Sequence, residues 1–90
     1  MATLLITYNL NGGDDEYKDL FKVIESCGET WHNARILDSV WFLKTAKTVA
    51  QVSDAMGEVM KANDDRFVVD ISGQPRQGWM PKPFWEWLNK

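Results

Sequence analysis

The chain has 90 residues, with ten Lys and Arg against thirteen Asp and Glu, for a formal net charge of −3. A chain of this size buries only somewhat more than about 60% of its unfolded surface, so it supports one domain with a thin core and has no room for a second. The mildly acidic balance argues against an indiscriminate grip on phosphate, although the C-terminal quarter runs the other way, with Arg66, Arg76, Lys82 and Lys90 against Asp70 and Glu86.

Cys27 is the only cysteine, so neither an internal disulfide nor a zinc knuckle can form within one chain, which fits a reducing, cytoplasmic setting. The apolar opening Leu4-Leu5-Ile6 lacks a basic lead and passes into Thr7-Tyr8-Asn9, so it reads as a strand and not as a secretory leader. No run approaches the roughly 20 apolar residues needed to cross a bilayer, and no membrane partner is expected.

The elements follow in order. Residues 3–8 are rich in β-branched and aromatic types and end at Asn11-Gly12-Gly13, which predicts a strand and a loop. Asp14, Asp15 and Glu16 then favour a helix N-terminus, and Tyr17, Leu20, Phe21 and Ile24 recur at helical spacing to about Ser26, with Gly28 as a left-handed stop. Residues 29–36 mix Thr, Trp, His and Arg as an edge strand does, Leu37-Asp38 turns the chain, and 39–43 is an apolar strand of the kind covered on both faces. Thr48 and Gln51 form a capping-box pattern ahead of the stripe Val49, Val52, Met56, Val59 and Met60, predicting a second helix to about Lys61. Residues 66–71 alternate with Phe67, Val69 and Ile71 on one face as a fourth strand. Beyond Ser72, Gly73, Pro75, Gly78 and Pro81 interrupt regular structure until Pro83 opens a short helix through Leu88.

This order predicts an α+β, ferredoxin-like βαββαβ domain over residues 1–72, with a four-stranded antiparallel sheet and two helices on one face. A Pro- and Trp-rich extension follows over 73–90. Trp41 and Leu43 project opposite to Val40 and Phe42, and Leu5 opposite to Leu4 and Ile6, so both sheet faces are apolar and the second needs a cover. A second copy is the simplest cover, through Leu5, Trp41, Leu43, Trp85 and Trp87; the alternative is the tail folding back over that face.

Leu5-Ile6-Thr7-Tyr8-Asn9-Leu10, the helix from Tyr17, Asp38-Ser39-Val40-Trp41 and Asp64-Asp65-Arg66-Phe67 together resemble CRISPR-associated protein family two and its VapD-type and stand-alone relatives. The resemblance implies a ferredoxin-like homodimer that is either a metal-dependent phosphodiesterase or a structural subunit carrying DNA. It also implies a catalytic aspartate at the end of the first strand, where this chain has Asn9. A neutral amide supplies no charge to hold magnesium or manganese or to acidify its water, so no cofactor is expected unless Asp14 or Asp38 provides a displaced carboxylate. Ser39 matches the serine opening the family's third-strand motif, and no base is placed beside it by sequence. His32 is the only histidine, which excludes a two-histidine mechanism within one chain.

The tail interleaves Arg76, Trp79, Lys82, Trp85 and Trp87, a composition that either stacks bases while neutralising phosphates or clamps indoles against a protein surface. Arg76, Trp79 and Lys82, with Tyr8, Asn9 and Arg35, are the expected binding residues. The expected function is a catalytically inactive, dimeric module that binds a nucleic acid, a nucleotide or a protein. The alternatives are a metal-dependent RNA or DNA endonuclease, and a nucleotide-sequestering or protein-blocking factor in defence or counter-defence.

Overall fold

The computed structural model describes residues 1–11 and 17–90. Its elements are β1 (Ala2–Asn9), α1 (Lys18–Ser26), β2 (Glu29–Trp31), β3 (Val40–Thr45), α2 (Val49–Gly57), β4 (Asp65–Asp70) and α3 (Lys82–Leu88). The strands form one sheet in the order β2-β3-β1-β4, every neighbouring pair antiparallel. The chain is therefore an α+β protein whose strand order is compatible with a ferredoxin-like fold, with a third helix added.

Strand register decides what each face carries. Leu4 lies opposite Leu43, and Ile6 lies between Trp41 on one side and Val68 on the other. With Tyr8, these residues face Leu20 and Ile24 of α1 and Val52 and Met56 of α2, forming the main core. Burial contributes about 1.5–3 kcal/mol for each large apolar side chain, so this layer dominates stability. Trp41 and Leu43 were expected on the second face, at a dimer seam; both are instead buried on the helix side. Alternation separates the two sets of side chains but does not say which set the helices meet.

The second face carries Leu5 opposite Phe42, with Val69 and Phe67 along β4. Part of it is covered by the chain's own tail: Phe84 and Leu88 of α3 bury against Phe42, and Leu5, Trp31, Ile71, Met80 and Trp85 pack around them. Phe84 meets both Phe42 and Trp31 edge-on at 4.8 Å between ring centroids. Phe67, farther along the same face, remains 62% exposed.

Local chemistry explains the boundaries. The edge strand stops at Trp31 and does not reach Ile36, because Asn33 turns the chain: its side-chain oxygen accepts from the Arg35 N–H, and its carbonyl accepts from Ile36 and Leu37. Thr48 and Gln51 form the reciprocal capping box, with bonds of 2.9 and 3.1 Å, and α2 ends at Gly57, short of Lys61. Gly28 is not a left-handed stop, since Gly73 has the one positive φ among the described residues. Its role is close approach: a Cβ there would lie 2.1 Å from the Lys44 carbonyl oxygen. Asp14, with Asp15 and Glu16, lies outside the described residues.

Candidate functional site

Two regions concentrate the residues singled out by sequence. The first is the end of β1. Asn9 is exposed and lies opposite Asp65, and Tyr8 lies opposite Arg66, in a shallow depression completed by Thr7 and Phe67. The donor chemistry does not fit the divalent cation implied by the resemblance, because Asp65 is the one carboxylate lining this depression among the described residues. Asp38 lies elsewhere, in the turn before β3, where its backbone carbonyl meets His32 Nε2 at 2.9 Å. Ser39 is half-buried in the same turn.

The Tyr8 side chain joins an aromatic stack. Trp41 Nε1–H donates to its hydroxyl at 2.9 Å, and the His32 ring lies flat on Trp41 with centroids 4.0 Å apart. Burial pushes the Tyr8 phenol above its ordinary 10.0; the Trp41 hydrogen bond opposes this, and the Asp38 charge adds to it. Cys27 is likewise buried, its thiol donating to the Val23 carbonyl at 3.2 Å.

The second region lies between the other sheet face and the tail. Leaving β4, the chain turns at Gly73 and runs without regular structure to Pro81, then returns over the sheet as α3. Leu5, Phe42, Ile71, Met80, Trp85 and Leu88 line the resulting groove, which encloses about 340 Å³. Arg76, Gln74, Gln77 and Trp79 supply the segment that borders it. Trp79 is completely exposed. Lys82 is exposed and paired with Glu86 at 3.7 Å, one helical turn along.

The tail is fastened at its far end by polar contacts. Lys44 donates through Nζ to the Trp87 carbonyl and sits 4.5 Å from the centre of the Trp87 ring, while Trp87 Nε1–H donates to Glu29 at 2.7 Å. Trp85 and Trp87 thus pack on their own chain. The structure brings Arg76 and Trp79 together at the groove; Arg35 is exposed in the turn after β2, and Asn9 lies on the rim of the strand-end depression. Leu37 and Met80 line the groove without any signal in the sequence, because their positions depend on the path of an irregular segment.

No protein-family model matches the chain, and no curated protein matches it.

Proposed function

We propose that the protein is a catalytically inactive relative of CRISPR-associated family two, a ferredoxin-like domain that binds a ligand in the groove between its sheet and its tail. The observation that carries this reading is the groove itself, a partly enclosed apolar site of about 340 Å³ with a cation and an exposed indole at its border. Small-ligand sites have this character: mostly apolar walls and a few polar groups that set orientation. The strand end offers Asn9 where the family's chemistry needs an acid. In this reading the module is a homodimer that pairs through the uncovered part of the second face, where Phe67 and Val69 lie.

Heteronuclear NMR of the full chain tests the site, because ligand-induced shifts on Leu5, Ile71 and Met80 report the groove directly. Incubation with single-stranded RNA and duplex DNA plus magnesium or manganese tests the inactivity. Cleavage that disappears in Asp14→Ala or Asp38→Ala would restore the nuclease reading. Sedimentation tests the assembly: a dimer that Phe67→Asp converts to monomer supports it, and a wild-type monomer at micromolar concentration removes it.

A second reading, single-stranded nucleic acid bound on the tail's outer surface, draws on the full exposure of Trp79 near Arg76 and Lys82. Base stacking on an exposed aromatic contributes about 1–3 kcal/mol, and such binding weakens strongly with salt. An oligonucleotide that quenches indole fluorescence in wild type but not in Trp79→Ala would favour it.

A further inference from the structure

The polar composition of the groove is one-sided. Its lining among the described residues contains no Asp or Glu, although the chain carries thirteen acids. Arg76 is the one cation there, and Gln74 and Gln77 are the side-chain amides. The Arg76 guanidinium has no ion pair or side-chain hydrogen bond within the described residues. The remaining walls are aliphatic, aromatic or thioether surface from both the sheet and the tail.

From this complementarity we infer that the groove takes a medium-chain aliphatic monocarboxylate, its chain lying between sheet and α3 and its carboxylate meeting Arg76. The inference rests on the reading of the groove as a ligand site and names the ligand's chemical class. A guanidinium accepts a carboxylate through two parallel N–H···O bonds, and Gln74 or Gln77 can add a neutral donor. A nucleobase fits less well. Its ring nitrogens and exocyclic groups each need a partner when buried, and away from the border formed by Gln74, Arg76 and Gln77 the walls are mainly Leu, Ile, Phe and Met, which offer none. A purely apolar ligand would leave the cation unused.

The chemistry predicts a dependence on chain length and on charge. Each buried methylene is worth about fourfold in affinity, so octanoate, with two more of them, should bind roughly fifteenfold tighter than hexanoate. Because Arg76 is exposed, Arg76→Gln should weaken octanoate by about three- to tenfold. Gln77→Glu, nearly the same shape with an added negative charge, should weaken it as well. Octan-1-ol, which lacks the charge, should bind with an affinity that neither substitution changes. Both substitutions are on exposed side chains, so the fold is retained.

The test is an NMR titration of the full chain with hexanoate, octanoate, octan-1-ol and adenosine monophosphate. Saturable octanoate shifts on Leu5, Ile71 and Met80, with the expected response to Arg76→Gln, support the inference. Octanoate that leaves these signals unmoved, or whose affinity is indifferent to Arg76→Gln, overturns it. If adenosine monophosphate moves the groove signals and octanoate does not, the carboxylate falls while the groove remains a ligand site. If none of the probes moves them, both fall.

Discussion

The indole N–H of Trp87 donates to the carboxylate of Glu29 at 2.7 Å, joining the last turn of the tail helix to the first residue of the edge strand across 58 positions of sequence. Lys44 reinforces the joint from β3, as donor to the Trp87 carbonyl and as a cation over its ring. The helix over the second sheet face is thus held at its end by polar contacts and in its first half by Phe84.

Trp87→Phe keeps most of the ring and deletes the donor. Because the contact is exposed, its loss should cost about 0.5–1.5 kcal/mol, seen as a lower urea midpoint with an unchanged slope. Glu29→Ala should give a similar loss, and the double variant should lose less than the two single losses together. Additive losses would show that the two side chains do not interact in solution.

Phe84→Ala should cost more, about 3–5 kcal/mol, since Phe84 is 3% exposed and wedged between Phe42 and Trp31. Its removal uncovers Leu5 and Phe42, so the variant should bind anilinonaphthalene sulfonate more strongly than wild type does. A loss below about 1 kcal/mol would mean that α3 adds little to the fold.

These two layers were not equally legible from sequence. Leu4 and Ile6 alternate cleanly, and the helical stripes of Leu20, Ile24, Val52 and Met56 have the matching period, so the order of elements and this part of the main core follow from pattern. Trp41 was misplaced because a strand apolar on both sides carries no mark of which side the helices meet; the deciding partners, Tyr8 hydroxyl and His32 ring, lie 33 and 9 positions away. The early end of β2 depended on one Asn33 side chain competing for backbone N–H groups. The groove was invisible because it forms between two elements with an irregular segment beside them. Only its composition, cations among tryptophans, could be read ahead.

Acid should act through Asp64. This buried side chain joins the β1 end to the segment before β4: Oδ1 accepts from the Asn11 N–H at 2.9 Å and from the Tyr17 hydroxyl at 3.2 Å, and Oδ2 accepts from the Lys61 N–H at 3.0 Å. The Asn11 bond is the main cause holding the carboxyl below its ordinary 3.8, with the Lys61 and Tyr17 bonds adding to it against the opposing effect of burial. The folded state therefore binds this proton less tightly than the unfolded chain. The contribution is complete above about 3.8 and is lost as pH falls through the lower folded value. Urea midpoints measured from neutral pH down through this range should drop more steeply in wild type than in Asp64→Asn, which begins less stable. Parallel acid limbs would refute the assignment.

Base should act through Tyr8, with the opposite sign. Burial is the largest cause raising its phenol above 10.0, and Asp38 adds to it, so the folded state holds this proton more tightly than the unfolded chain. Stability from this group is complete below about 10.0 and declines as pH rises through the higher folded value. Absorbance titration near the phenolate band should show a late step that Tyr8→Phe removes. Trp41→Phe separates the contributions further. It deletes the indole N–H that stabilises the phenolate, and the late step should move to higher pH, provided near-ultraviolet circular dichroism shows the core intact. A late step that moves to lower pH in Trp41→Phe would mean that the 2.9 Å contact does not supply a hydrogen bond to the charged form.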